Sequence, residues 1–201
     1  EAFPGARVIH DGELVAVLHD AWDLAAAALA RIEADWEMPP PSTDDQTIYD
    51  HLVETAPEGS VVEEKGSLEE GRRLSTALFE ETYRTPYIAH APIEPHAATA
   101  AAEGERLTVW ASTQSPFRVQ AEVAQALGLA AEKVRVITPF VGGGFGGKNP
   151  SGQAVEAARL ARLSGGPVQV AWGRAEEFFL DTFQPAAVVK IVSGLDAGNK
   201  L

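Results

Sequence analysis

The apolar positions change period several times along the chain, and each change marks an element. Arg7–His10 and Glu13–His19 are strand-like runs on either side of Asp11-Gly12, a dipeptide suited to a tight hairpin turn. Trp22, Ala25, Leu29, Ile32 and Trp36 then recur at three- and four-residue spacing. That spacing predicts a helix with one apolar stripe, capped by Asp20, with its tryptophans in the core. Pro39-Pro40-Pro41 ends it, because proline lacks the N–H that a helix interior needs. Ser42–Glu58 is polar and irregular and reads as a linker or surface excursion. Ser67–Leu74 reads as a charged turn or short helix. Ser75–Tyr83 alternates as a strand does, with Ala77, Phe79 and Tyr83 on one side.

From Arg106 the periods become more regular. Leu107–Ala111 predicts a strand. Arg118–Leu127 predicts a helix with Val119, Val123, Ala126 and Leu127 on one face and Gly128 at its stop. Lys133–Thr138 predicts a second strand. Ser151 is positioned to cap a helix running to Ser164, whose wet side would carry Gln153, Glu156, Arg159 and Arg162. Gly165-Gly166-Pro167 stops that helix, and Val168–Trp172 predicts a third strand. Taken alone, the β-α-β-α-β order from Leu107 to Trp172 suggests a parallel sheet. A last strand is predicted over Ala187–Val192. The chain begins inside a hairpin pattern and stops soon after that strand, so a segment of a longer protein is expected.

Composition narrows the function classes. With 201 residues and 45% apolar content, the chain suits one large packed domain or two small ones. A net charge of −13 argues against nucleic acid or an anionic membrane surface as partner, because both are bound through excess Lys and Arg. There is no cysteine, hence no Cys-ligated iron–sulfur cluster, Cys-type zinc site or disulfide in the chain. No run of about 18 apolar residues offers a membrane helix, and Glu1–Arg7 carries no signal-peptide pattern.

The strongest chemical signal is Val141–Lys148, VGGGFGGK, five glycines around one phenylalanine between a strand-like and a helix-like run. Glycine has no Cβ, so φ can be positive and a ligand can approach the backbone. A turn of this kind ahead of a helix presents N–H groups to an anion. A flexible loop tip is the plainer reading, but a central Phe and an edge Lys are rare in linkers. Gly142 to Lys148 satisfies the G-x-x-x-x-G-K of a P-loop. Asn149, however, replaces the Ser/Thr that ligates magnesium, and Pro150 puts the lysine ahead of the helix. Gly142, Gly144 and Gly147 satisfy the G-x-G-x-x-G of dinucleotide folds, yet the nearest acid after the next strand is Glu176, not one at its end. His90 and His96 bracket two prolines and do not share a helix face, so they read as turn histidines rather than a metal pair.

Three motifs stand in order: HAPIEPHAATA at His90–Ala100, WASTQSP at Trp110–Pro116 and VGGGFGGK at Val141–Lys148. With Gly166-Pro167-Val168, Arg174-Ala175-Glu176-Glu177-Phe178 and Phe183-Gln184-Pro185-Ala186, they make the chain resemble the molybdenum-cofactor (large) subunit of the xanthine dehydrogenase and aldehyde oxidase family. The TFQPAAVVK segment is more similar to the bacterial isoquinoline 1-oxidoreductase or nicotinate dehydrogenase type. The resemblance implies an α+β fold, a mixed sheet with helices. Residues 1–41 would end a small hammerhead-like α/β domain, 42–75 would be a linker or surface excursion, and 76–201 would begin the molybdopterin-binding domain.

The same resemblance implies a molybdopterin cofactor, as such or as its cytosine dinucleotide, with molybdenum held by the pterin dithiolene and not by side chains. [2Fe-2S] clusters would lie on an iron–sulfur electron-transfer partner. The substrate would be an aldehyde or an N-heterocycle, hydroxylated with oxygen from water. Gln114 would hydrogen-bond an oxo ligand of the metal. Gly143, Gly144, Phe145 and Gly146 would meet the cofactor, through backbone N–H groups at Gly144, Phe145 and Gly146, with Phe145 shielding one side of the metal. Lys148 would touch a cofactor phosphate or form a structural pair. Asn149 stands where purine-oxidising members carry glutamate, which favours a less polar heterocycle or an aldehyde. Glu94 is expected to be structural, since the family's general base lies later in the subunit.

Overall fold

The computed structural model describes residues 3–35, 37, 39–40, 42–198 and 200. Its first hairpin pairs β1 (Arg7–Asp11) with β2 (Leu14–Leu18), Asp11 opposite Leu14. Gly12, at φ 62°, takes the first turn position, so the turn is Gly12-Glu13, one residue later than expected. The helix α1 (Trp22–Leu29) follows. Asp20 does not cap it; the N-cap is Ala21, which has no side-chain acceptor. Its buried position is Ala28, one step round the helix from the expected stripe, where a small side chain lets α1 approach β2. Trp22 is accordingly 81% exposed rather than in the core, and Ile32 lies beyond the helix. The expectation for Trp36 falls outside the described residues.

The helix α2 (Ile48–Thr55) forms where the sequence pattern suggests irregular chain. Asp44 organises its entry: Oδ1 accepts N–H bonds from Gln46 at 3.0 Å and Thr47 at 2.8 Å, and the Asp44 carbonyl accepts from Ile48 at 3.0 Å. Next, α3 (Leu68–Leu74) is capped by Ser67, whose hydroxyl oxygen accepts from the Glu70 N–H. The strands β3 (Ala77–Thr85), β4 (Ile88–Ala89), β5 (Ala97–Glu103) and β6 (Arg106–Ala111) precede α4 (Pro116–Leu127). Then come β7 (Val134–Ile137), α5 (Gly152–Ser164), β8 (Val168–Ala171), α6 (Arg174–Leu180), β9 (Phe183–Gln184) and β10 (Ala187–Leu195).

The chain divides into two compact units, each discontinuous in sequence. One comprises Glu1–Glu37 and Ala89–Phe183. Its sheet has the order β7-β6-β5-β8. The crossover through α4 makes β6 and β7 parallel, whereas β5 runs antiparallel to both β6 and β8. The three strands between Leu107 and Trp172 therefore share a direction, but β5 intrudes between two of them and the sheet is mixed. A single core joins Ala98 and Ala100 of β5, Leu107 and Val109 of β6, Val119 and Val123 of α4, and Ala154, Ala157, Ala158 and Ala161 of α5. Alanine on both β5 and α5 lets the helix lie close against the strand, while each buried Val or Leu contributes about 1.5–3 kcal/mol. The hairpin adds Ile9, Leu14, Ala16 and Leu18 to the same core, and the Arg159 guanidinium donates to Asp11 Oδ2 at 2.6 Å.

Two details of α5 and one of α4 depart from expectation. Gln153 is buried, not on the wet side, because it sits in the first turn where α5 enters the core. Ser151 is the N-cap residue, yet its hydroxyl donates to Glu122 Oε2 instead of accepting from the helix. On α4, Ala126 is exposed, and Ala124 takes the inner position beside Val123.

The second unit comprises Met38–Ile88 and Gln184–Leu201. Its centre is an antiparallel ribbon in which nine residues of β3 pair with nine of β10, from Ala77↔Leu195 to Thr85↔Ala187. Every β3 residue is exposed, including Leu78, Phe79 and Tyr83. An exposed ion pair, Arg84 to Asp50 at 3.6 Å, adds little in water.

Candidate functional site

The glycine loop between β7 and α5 has four residues in the left-handed region: Gly142 at φ 66°, Gly143 at 89°, Phe145 at 54° and Gly146 at 106°. For Phe145 that conformation costs about 1–2 kcal/mol, which surrounding contacts must offset. Its ring is 75% exposed, so burial of the ring does not supply the offset. Gly144 is different. It does not lie in the left-handed region, and its need for glycine is steric. A Cβ there would overlap Gln114 Oε1 and stand 2.6 Å from Gln114 Cδ.

Gln114 follows β6 and is stitched to the far end of the loop. Its own N–H donates to the Lys148 carbonyl at 2.9 Å, and the buried Thr113 hydroxyl donates to the same oxygen at 3.0 Å. The Gln114 side chain closes the arrangement: Oε1 accepts the Gly146 N–H at 3.0 Å. An amide whose oxygen is committed in this way turns its NH2 donors outward. The Gly146 N–H is thus spent inside the protein, which corrects the expectation that it faces a cofactor. Among the described residues, the N–H groups of Gly144 and Phe145 have no acceptor. Inside the loop, Gly147 N–H donates to the Gly144 carbonyl at 2.9 Å and Asn149 N–H to the Gly146 carbonyl at 3.3 Å.

Lys148 is wholly buried, and its Nζ donates to the Val141 carbonyl, tying one end of the loop to the other. Burial pushes the ammonium pKa down; the carboxylates of Glu94 and Glu177 oppose that shift and Arg174 adds to it. An inward lysine cannot grip a phosphate as a P-loop lysine does. In addition, β7 and β8 occupy opposite edges of the sheet, unlike neighbouring strands of a dinucleotide-binding unit. Both nucleotide readings of the glycines are therefore set aside.

The first motif, His90–Ala100, lies across the same loop. Glu94 N–H donates to the Gly142 carbonyl at 3.4 Å, and the Glu94 side chain is exposed. His90 Nδ1–H donates to the Thr182 carbonyl at 2.9 Å. His96 is 1% exposed, stacks near Trp172 with ring centroids 5.1 Å apart, and directs Nε2 at the Gly147 carbonyl at 3.3 Å. Arg174 at the start of α6 donates to the carbonyls of Pro92 and Ile93 and lies 3.5 Å from Glu177. The buried set His96, Glu177 and Asp181 has ligand atoms within 4.8 Å of one another. It fits a metal poorly: Glu177 faces Nδ1, Asp181 faces Nε2, and a guanidinium already neutralises Glu177. No sequence motif joins these residues; only the strand and helix ends bring them together.

The molybdopterin cofactor-binding domain family matches residues 53–201. The chain belongs to this family. The aldehyde oxidoreductase molybdenum-binding subunit PaoC of Escherichia coli (strain K12) is 29% identical over 202 residues, covering 98% of this chain and 27% of that protein. The xanthine dehydrogenase molybdenum-binding subunit of Escherichia coli O157:H7 is 34% identical over 196 residues, 88% of this chain and 24% of that protein. The aldehyde oxidoreductase from Desulfovibrio gigas shares the fold, with a TM-score of 0.74 at 18% identity over 90% of this chain and 21% of that one. The chain thus spans about a quarter of the length of these relatives.

The glycine loop fits a cofactor approached through its backbone. Glycine at 144 lets the Gln114 amide lie against the loop backbone, the N–H groups of Gly144 and Phe145 have no acceptor among the described residues, and the Gln114 NH2 adds a neutral donor beside them. Asn149, half-buried, stands at the rim of the same loop.

Proposed function

We propose that this chain forms part of the cofactor site of a molybdenum hydroxylase subunit that oxidises an aldehyde or an N-heterocycle. The observation that carries the reading is the commitment of Gln114 Oε1 to the Gly146 N–H, which leaves the amide NH2 as a preset donor next to the free N–H groups of Gly144 and Phe145. When bound, the molybdopterin supplies the two-electron redox chemistry and water supplies the oxygen. The chain's own residues hold and orient. Gln114 offers a neutral N–H to the cofactor's oxo group. Gly143, Gly144 and Phe145 line the backbone side, Gly146 holds the Gln114 amide in register, and the exposed Phe145 ring screens the site from water. Lys148 serves by closing the loop rather than by touching phosphate, in keeping with its burial. Asn149, a neutral amide at the rim, suits a substrate without a strongly polar ring. Electrons would leave through [2Fe-2S] clusters on a partner; the lack of cysteine in this chain agrees with clusters held elsewhere.

Gln114→Ala in the full-length subunit tests the reading. The expected result is near-normal molybdenum content with turnover reduced on the order of 10²–10³, the cost of one positioned donor. Near-normal turnover in a molybdenum-replete variant would return Gln114 to a purely structural role.

A further inference from the structure

We propose that Arg174 is a positioning residue for the glycine loop, a latch that holds the segment Ala91–Glu94 against it in spite of backbone strain. The segment does not hold itself. Ala91 lies in the left-handed region at φ 43°, which an alanine side chain disfavours, and the following Pro92 draws it toward extended backbone. Proline at 92 and 95 leaves the segment without an N–H donor at either position. Ile93 is 92% exposed, so burial of its side chain contributes little. Arg174 supplies the hold from α6: Nη2 donates to the Pro92 carbonyl at 2.5 Å and to the Ile93 carbonyl at 3.1 Å. A guanidinium is always charged, and its hydrogen bonds are of the stronger, charge-assisted kind. On its own helix it is flanked by Glu177 Oε1, 3.5 Å from Nη1, and by the Phe178 ring, whose centroid is 5.6 Å from Cζ.

What Arg174 holds bears directly on the loop. Pro92 is buried, and its Cβ lies 3.6 Å from the place that a Cβ on Gly143 would take. Glu94 N–H donates to the Gly142 carbonyl at 3.4 Å. The Glu94 side chain covers Gly142 so closely that a Cβ there would overlap Oε2 and stand 2.6 Å from Cδ. Gly142 therefore answers to Glu94 as Gly144 answers to Gln114. Two side chains from different parts of the sequence press on the two glycines, and Arg174 fixes the segment that carries one of them. The role deepens the proposed function, on which its consequence for a cofactor rests; the latch itself does not need that reading.

Hydrogen–deuterium exchange in the full-length subunit, read on peptides covering Ala89–Ala98 and Val141–Asn149, tests the latch. Arg174→Ala should speed exchange roughly tenfold or more in both peptides. Glycine accepts positive φ without steric cost, so Ala91→Gly alone should slow exchange of the first peptide about threefold. Combined with Arg174→Ala, it should recover about threefold of the lost protection. A residue that only stabilises α6 gains no such rescue, because relief of strain at Ala91 does not mend that helix. Unchanged exchange of Val141–Asn149 in Arg174→Ala overturns the proposal, as does a double variant that exchanges as fast as Arg174→Ala. Unchanged or faster exchange in Ala91→Gly alone also overturns it, so a folding defect in Arg174→Ala does not shield it. Molybdenum content of the same preparations separates the two readings. The expected exchange pattern in a subunit that never takes up molybdenum would sink the cofactor assignment and leave the latch standing. A molybdenum-replete subunit with none of these exchange changes would do the reverse.

Discussion

Gly144→Ala is the perturbation whose magnitude follows most directly from the loop. The new methyl would overlap Gln114 Oε1 and approach Cδ at 2.6 Å and Cγ at 3.0 Å. Gln114 is exposed, so its side chain can swing away and the fold survives. The swing loses the bond from the Gly146 N–H, worth about 1 kcal/mol, and forces a less favourable rotamer at about 0.5–1.5 kcal/mol. Against this, alanine at a backbone position that is not left-handed restricts the unfolded chain and stabilises by about 0.4–1 kcal/mol. The net expectation is destabilisation by about 1 kcal/mol. In a Gln114→Ala background the obstructing atoms are gone, and the same glycine change should stabilise by about 0.4–1 kcal/mol. Denaturant unfolding of the wild type, both single variants and the double variant, followed by tryptophan fluorescence, gives the coupling. If the glycine change costs the same in both backgrounds, within about 0.5 kcal/mol, Gln114 is not what demands glycine here.

Three further outcomes can be checked on the same material. Lys148→Met leaves the Val141 carbonyl without its donor and should destabilise the chain by about 1–3 kcal/mol, read from the shift in the unfolding midpoint. Burial holds the Glu156 pKa above its ordinary value, although the Trp172 indole N–H at 3.0 Å partly opposes it. The folded state then binds more protons than the unfolded one, so stability falls as pH rises from the ordinary carboxylate value through the raised one; Glu156→Gln should remove that slope in unfolding curves taken across pH. Calorimetric titration of the wild-type chain with ATP and with NAD should show no saturable binding, and saturation by either would revive a nucleotide site.

The glycine loop was legible because its demands are written in residue types: left-handed backbone at Gly142, Gly143 and Gly146, and a forbidden Cβ at Gly144. Gln114 was legible through the order of motifs, but the acceptor role of its oxygen was not, since a hydrogen bond between residues 32 apart leaves no periodicity. The strand β5 escaped because alanine has little strand propensity; Ala98 and Ala100 are strand by virtue of packing against α5, a tertiary cause. The helix α2 escaped because its start signal, Asp44, sits in a run that reads as polar linker. The grouping of His96, Arg174, Glu177 and Asp181 had no local trace at all, for each looks like an ordinary turn or helix-face residue until Trp172 N–H bonds to the His96 carbonyl at 2.9 Å.

The intrusion of β5 between β6 and β8 also sets the order in which this molecule can assemble. The pairing of β5 with β6 is local and can form early, whereas Ala98 meets Val170 only after the intervening chain has been gathered in. Contacts of such long sequence separation form late and limit folding rates. The glycine loop lies inside the span that this last pairing closes, and His96 and Trp172 flank the seam where it closes. On the proposed function, a chain in which this pairing is still unmade would have no finished loop to offer a cofactor.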